Sequence, residues 1–453
     1  MRINKEKHTL MTDGSIAGHL IKFALPLLMG NIFQQLYNMV DTWVVGNYVS
    51  NEAFSAVGTV GPIVNMLIAL FIGLSSGAGV VISQYYGAEQ DDKVQDAVHT
   101  AIMMTVCLGV LMSIVGVALR NPLLRLMNIP DEVFGEASTY LGIFFSGMSA
   151  LMFYNISASI LQATGDSKRP FLFLMTATVL NIVLDLLFVL KFHMGVEGVA
   201  YATIIAMAVS ALFGLGTLFT SKNEAIKLHI GKLRIDFPML YKIFRIGIPA
   251  AIQSAVIAFS NIFVQGYINH FGADVMSGWT AYSKVDSLML LPMQSISIAL
   301  STFVGQNIGV GKTDRAIKGV RIAILMAFVS TVVPMVPVMI FAPQLVGFFN
   351  SKPEVIMLGT MILRWISPFY ALTCSSSMHA SALRGAGNST GPMVITMCSY
   401  VLFRQIYLFV MSHYISNTVI PIVLGYPAGW IVCATAMLIY YKKTDISTRR
   451  VVD

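Results

Sequence analysis

Charged side chains are scarce in this sequence: Asp, Glu, Lys and Arg make up 11% of its 453 residues, against about a quarter in soluble globular proteins. Hydrophobic residues reach 56% and the mean hydropathy is +0.73. A water-soluble fold could not cover its surface from that stock. Cysteine is also scarce. The four residues Cys107, Cys374, Cys398 and Cys433 all lie in apolar runs without metal-ligand spacing, which predicts buried thiols and no metal cluster. Residues 1–20 carry Arg2, Lys5, Lys7 and Asp13 and lack an apolar core. The expectation is therefore no cleavable signal peptide, with the first span directing insertion.

The chain is rich instead in apolar runs of bilayer length, repeated from end to end. A hydrocarbon interior offers backbone groups no water, so spans must be helices or a closed barrel. Long, non-alternating runs rich in Leu, Ala, Met and Gly specify helices. Twelve spans are predicted, near 20–46, 54–82, 95–119, 132–161, 169–191, 196–219, 242–270, 277–304, 317–341, 355–383, 391–413 and 418–441. The division expected is 1–220 for the first lobe, 221–241 for a cytoplasmic linker and 242–453 for the second lobe.

The net charge of +7 has a topological cause. With the N-terminus placed in the cytoplasm, 22 of the Lys and Arg residues fall inside and five outside, and Lys284 and Arg404 lie within spans. That bias is a strong positive-inside signal. It predicts a multi-pass protein of the plasma membrane with both termini cytoplasmic, and it removes the reason to expect a nucleic-acid partner.

The chain also repeats itself. Residues 157–175 align with 379–397 at an offset of 222, with seven of 19 positions identical, including Gly165 with Gly387. The same offset pairs Gln84 with Gln306, Gly87 with Gly309 and Asp92 with Asp314, and an offset of 223 pairs Pro26 with Pro249. Each half holds six spans, an even number, so the halves share one orientation. Parallel repeats of this kind mark transporters, with substrate at the repeat interface.

Ionisable residues within spans are costly and face a cavity or a partner. Those here are Asp41, Asp185, Lys284, Asp286 and Arg404, with His379 near the end of a span. Gln34, Tyr37, Asn38 and Asp41 recur at helical steps along one face of the first span, and Asn181 and Asp185 share a face of the fifth. At 1.5 Å per residue, Asp41 and Asp185 lie roughly 8 and 9 Å inside their outer helix ends, and Thr203 roughly 10 Å inside its own. Three helices thus place polar groups at one depth. Two carboxylates with amide and hydroxyl oxygens can bind Na⁺ through hard ligands, or hold a proton. Pro26 removes a backbone hydrogen bond in the first span and permits a kink. Lys284 and Asp286, two residues apart, point to different faces, and Arg404 is the expected ion-pair partner of Asp286 across helices. His379 and His413 fit polar packing rather than a metal site.

Two motif matches fail on context. Gly73, Ser75 and Gly77 have the spacing of a nucleophile elbow, but within an apolar helix, where small residues let helices approach closely. Gly311, Lys312 and Thr313 end like a phosphate-binding loop, but Gln306 stands where its first glycine is required. Neither an ATP engine nor a cofactor is expected. An intramembrane enzyme would need a nucleophile with its base, or a metal cluster, at one depth, and none is evident.

Ala24, Leu25 and Pro26, with Asn38 to Gly46 after them, resemble the opening of the multidrug and toxic compound extrusion (MATE) transporters. Gln84 to Ala88, Gln162 to Asp166, Asn181 to Asp185, and Gly305 to Gly309 are similar to that family as well, so the resemblance spans nearly the whole chain. It implies an all-α membrane fold of twelve helices in two pseudo-symmetric six-helix lobes forming a V. It also implies export of cationic, amphipathic small molecules in exchange for Na⁺ or H⁺. By matched position, Asp41, Asn181, Asp185 and Thr203 correspond to the cation site of the first lobe, and Gln34, Tyr37 and Asn38 to the neighbouring cavity. Some members carry a Glu in helix 7 and an Asp in helix 10. Here helix 7 has no carboxylate and helix 10 has only Glu354 near its outer end. Lys284, Asp286 and Arg404 form the polar set of the second lobe. The alternative is a lipid-linked precursor flippase of the related superfamily, which the acidic first-lobe residues disfavour. Function as a monomer is expected, because two halves close a pathway within one chain.

Overall fold

A computed structural model of the protein describes residues 10–49, 51–127, 129–448 and 450–452. Arg2, Lys5, Lys7 and Arg449, counted in the charge bias, lie outside the described residues. The long helices in order are α1 (Ile16–Tyr48), α2 (Asn51–Gly87), α3 (Asp91–Leu126), α4 (Asp131–Ser146 with Met148–Ala163), α5 (Lys168–Lys191), α6 (Val196–Phe219), α7 (Phe237–Asn269), α8 (Ala273–Gly309), α9 (Thr313–Ile340), α10 (Pro353–Gly385), α11 (Thr390–Ile415) and α12 (Val419–Lys443), with a short helix Ala342–Phe349 between α9 and α10. Eleven are long and apolar enough to cross a membrane singly, and α4 makes a twelfth if its two pieces, bent by 46°, form one span. There is no β-strand among the described residues. Both units expose large aliphatic side chains mid-helix, such as Leu212 at 68% and Ile406 at 61%. A hydrocarbon surrounding makes such a surface favourable. That corrects one expectation: Cys374 and Cys433 are buried, but Cys107 and Cys398 are exposed, so an apolar run hides a thiol from water without hiding it inside the protein.

The sequence repeat is visible in the backbone. Gly165 and Gly387, each in the turn after a helix, have φ of +92° and +95°, a left-handed conformation that side chains disfavour. The next residue in each turn serves the helix after it. Asp166 Oδ1 accepts from the N–H groups of Lys168 and Arg169, both at 3.1 Å, and Asn388 Oδ1 accepts from Gly391 N at 3.2 Å.

The chain forms two compact units, one containing Met29–Gly247 and the other Met11–Leu28 with Ile248–Asp453. The boundaries differ from a simple halving. They fall inside α1 just after Pro26 and inside α7 just before Pro249, where a proline has already removed one helical hydrogen bond. The start of α1 therefore belongs with the second unit. Leu20, Phe23, Ala24 and Leu27 join its apolar core with residues of α8 to α12. The segment before α1 is clamped there too. Met11 N donates to Gln306 Oε1 at 2.8 Å, and Lys312 Nζ donates to Thr12 O at 3.1 Å and Asp13 Oδ1 at 2.7 Å. The glycine-lysine-threonine turn is thus a grip for this segment.

The linker is likewise packed rather than free. Ala225, Ile226 and Leu228 are buried, Gln95 Nε2 donates to Glu224 O at 2.7 Å, and Asp236 N donates to Thr100 Oγ1 at 3.1 Å. Asp236 Oδ1 then accepts from Met239 N at 2.8 Å, satisfying a free donor at the start of α7.

Candidate functional site

Within the first unit, α1, α5 and α6 bring four predicted residues into one cluster. With its amide oriented so that donors meet acceptors, Asn181 Nδ2 donates to Asp41 Oδ1 at 3.0 Å and to Asp185 Oδ2 at 3.2 Å. Its carbonyl oxygen accepts from Thr203 N at 3.3 Å. The helical step of four between Asn181 and Asp185 makes the second bond possible, and the shared depth makes the other two possible. Asp41 is 9% and Asp185 0% exposed.

The two carboxyl groups are held close together, each within hydrogen-bond reach of the same Asn181 nitrogen. Two charges 4 Å apart repel by about 4 kcal/mol at an effective dielectric of 20, and one amide does not neutralise them. Asp185 Oδ1 is buried and accepts no hydrogen bond. A buried acceptor in that condition is unfavourable unless a proton or cation occupies the space beside it.

Tyr37, one turn before Asp41, donates to Thr203 Oγ1 at 3.4 Å, and Thr203 Oγ1 donates to Val199 O at 3.0 Å. Gln34 is half-buried and Asn38 exposed on the same stretch of α1. Tyr140 of α4 is an addition that sequence reasoning does not supply. It is buried and near enough to interact electrostatically with both carboxylates. Its sequence signal is weak, because a tyrosine in an apolar helix is ordinary.

The second unit's polar set is arranged differently from expectation. Arg404 and Asp286 form no ion pair. Asp286 Oδ1 accepts instead from the hydroxyls of Tyr282, at 3.2 Å, and Tyr370. Arg404 is 1% exposed. Its Nε donates to Ser260 Oγ at 3.1 Å and its NH2 to Ser260 Oγ and to Asn261 Oδ1, the latter at 3.1 Å. Tyrosine hydroxyls and rings therefore take the place of the pair partner. Lys284 is exposed, away from Asp286, as their spacing requires. His379 is buried and its Nδ1 lies 2.7 Å from Ser375 O, while His413 is exposed against Phe409.

A family model described as MatE matches residues 26–187 and 249–410. The chain is 29% identical over 426 residues to the probable multidrug resistance protein YoeA of Bacillus subtilis, covering 93% of this chain and 92% of that one. It is 28% identical over 431 residues to the probable multidrug resistance protein NorM of Thermotoga maritima, covering 94% and 92%. A crystal structure of MATE in complex with MaD3S superposes with a TM-score of 0.88 at 25% identity, covering 97% of this chain and 99% of that one. With two matched segments that together exceed half its length, the chain belongs to the MatE family and is a multi-pass membrane transporter rather than an enzyme.

Proposed function

We propose that the protein is a secondary active transporter that exports organic molecules bearing a cationic group in exchange for Na⁺ or H⁺. The names of relatives describe multidrug resistance, for YoeA and NorM, and multidrug export, for MepA of Staphylococcus aureus. The observation that carries the coupling is the Asn181-bridged carboxylate pair with its unpartnered buried oxygen. Such a pair is unfavourable when empty, and one monovalent cation between the carboxyl groups halves their charge and removes their mutual repulsion. Na⁺ would take oxygens of Asp41 and Asp185 as hard ligands; a proton would bridge them. Asn181 and Thr203 position the pair, and Gln34, Tyr37 and Asn38 face the neighbouring space.

Occupancy biases the conformational equilibrium by its differential affinity for the outward-open and inward-open states. Reciprocity then requires bound substrate to weaken ion binding by the same factor that the ion weakens substrate binding. Pro26 is where α1 would absorb the change, since one helical hydrogen bond is already missing there. The protein acts in the plasma membrane, with both termini cytoplasmic, as a single chain.

The test is efflux of a fluorescent organic cation from proteoliposomes under an imposed Na⁺ or H⁺ gradient. Wild type should respond to one gradient, and Asp41→Asn and Asp185→Asn should each abolish the response while remaining folded. Normal gradient-driven efflux in both variants would overturn the reading.

A further inference from the structure

The two segments matched by the family model begin 223 residues apart, at 26 and 249, and end 223 apart, at 187 and 410. Helices α6 and α12 begin with the same spacing, at Val196 and Val419. The turns before α5 and α11, at Gly165 and Gly387, are spaced by 222. The extra residue is accommodated in α11, where Cys398–Phe403 is π-helix and Arg404 comes directly after it. A π turn is one residue inserted into an α-helix.

In this register the first unit's cluster maps onto the second residue by residue. Asn181 corresponds to Arg404, Thr203 to Tyr426, Tyr37 to Ser260 and Asn38 to Asn261. Asp41 corresponds to Val264 and Asp185 to Leu408, both fully buried. The mapped residues also meet in space: Arg404 donates to Ser260 and Asn261, and its guanidinium lies 4.7 Å from the Tyr426 ring centre and 5.0 Å from that of Tyr400. Both acids have become aliphatic, and the amide that bridged them has become a cation. The site is repeated with its charge reversed.

The reversal leaves an imbalance. A guanidinium keeps its charge wherever it sits, and a buried charge requires compensation. Among the described residues no carboxylate pairs with Arg404, and its NH1 donates no hydrogen bond. Asp286, the acid within the spans of the same unit, is taken by Tyr282 and Tyr370. Neutral oxygens hold the Nε and NH2 edge and aromatic faces cover the plane, so the NH1 edge is the part of the guanidinium left without a partner.

We propose that Arg404 is an anion-binding residue that takes the carboxylate of a transported molecule at its NH1 edge. Substrates that carry a carboxylate beside their cationic group are then preferred over the corresponding esters. The preference rests on the export reading above and is independent of which ion drives transport.

The test is equilibrium binding, by fluorescence anisotropy, of a rhodamine free acid and its methyl ester to the full chain in nanodiscs. The dyes share one cationic ring system and differ only at the carboxylate. Wild type should bind the free acid more tightly, and Arg404→Gln should weaken the acid roughly tenfold or more, the worth of a charge-assisted hydrogen bond, while leaving the ester nearly unchanged. Arg404→Lys should fall between, since an ammonium keeps the charge and loses the fork. Ester binding as tight as or tighter than acid binding in wild type overturns the proposal without any variant. So does absence of acid binding, or an equal loss for both dyes in Arg404→Gln. The readings fail separately: normal coupling in Asp41→Asn and Asp185→Asn overturns the antiport reading and leaves the acid-over-ester preference standing.

Discussion

Gly77 gives the sharpest steric prediction. A Cβ at this position would lie 2.4 Å from Gly247 Cα, 2.5 Å from Gly247 N and 2.7 Å from Ile243 O. Carbon contacts are comfortable at roughly 3.5–4.0 Å, so Gly77→Ala must push α2 and α7 apart by about 1 Å. The obstacles are backbone atoms, which no rotamer change removes. Overpacking of this kind costs about 1–3 kcal/mol or more, against the gain of about 0.5–1 kcal/mol from replacing glycine in a helix. Two other glycines of α2 are controls. At Gly79 the added Cβ meets Ser159 Oγ at 2.4 Å, a side chain that can rotate away by giving up its 2.6 Å bond to Ser75 O. That bond is worth about 1 kcal/mol, so Gly79→Ala is near neutral. At Gly58 nothing lies within 4 Å, so Gly58→Ala should stabilise by about 0.5–1 kcal/mol. Thermal melting of the three variants in one detergent, with size-exclusion chromatography afterwards, should rank them Gly58→Ala above Gly79→Ala above Gly77→Ala. Gly77→Ala melting at or above Gly58→Ala would refute the close helix approach.

Single contacts carry the remaining expectations. Asn181→Leu should weaken coupling-ion binding roughly tenfold to a hundredfold, since two hydrogen bonds to carboxylates are lost; unchanged ion dependence of transport would remove Asn181 from the site. Gly165→Ala and Gly387→Ala should each destabilise by about 1–2 kcal/mol, the cost of a left-handed backbone with a side chain, read as a lower melting midpoint. A carbene generated from a lipid-dissolved diazirine, which needs no thiolate, should insert at Cys107 and Cys398 and spare the buried Cys374 and Cys433, with mass spectrometry locating the adducts. The Asp13 carboxyl is held below its ordinary range chiefly by its hydrogen bond and charge contact with Lys312. Its contribution to holding the segment before α1 is complete at neutral pH and is lost as the pH falls through that lowered value. Hydrogen exchange at the Met11 amide should accelerate there, and in Asp13→Asn it should already be faster at neutral pH.

Much of the architecture is legible in the sequence because lipid imposes one rule on every span. The apolar runs predict all twelve helices in order, with most ends within a few residues. Asp41, Asn181, Asp185 and Thr203 can be grouped because charge within a span is expensive and helical rise converts residue number to depth. Three things are not legible. The unit boundaries within α1 and α7 depend on which core Leu20, Phe23 and Leu27 join, and hydrophobicity alone does not choose between two cores. The linker's grip on α3 runs through backbone groups, which leave no pattern in the sequence. An Arg404–Asp286 pair is suggested by opposite charge at similar depth, but azimuth decides a pair, and the π-helix ahead of Arg404 rotates this residue and the rest of α11 about the helix axis.

The reversed polarity of the second unit also bears on charge movement. Val264 and Leu408 leave no second acidic pair, and with Asp41 and Asp185 sharing a single ion, one monovalent cation enters per cycle under the antiport reading. An exported rhodamine ester carries one positive charge out as one comes in, and its exchange is electroneutral. The free acid is a zwitterion with no net charge, so its exchange moves one positive charge inward. A membrane potential of 100 mV, negative inside, then adds about 2.3 kcal/mol to the driving force for the acid and nothing for the ester. At about 1.4 kcal/mol per tenfold, that raises the limiting gradient of the acid about 40- to 50-fold. The measurement is steady-state dye distribution in proteoliposomes at a fixed ion gradient, with the potential set by valinomycin and K⁺. An acid gradient that grows with potential beside an ester gradient that does not would fix the stoichiometry at one. An ester gradient that also grows would require a second coupling ion, taken by the remaining charge of the Asp41 and Asp185 pair, since α7 and α11 supply no acid at the matching positions Val264 and Leu408.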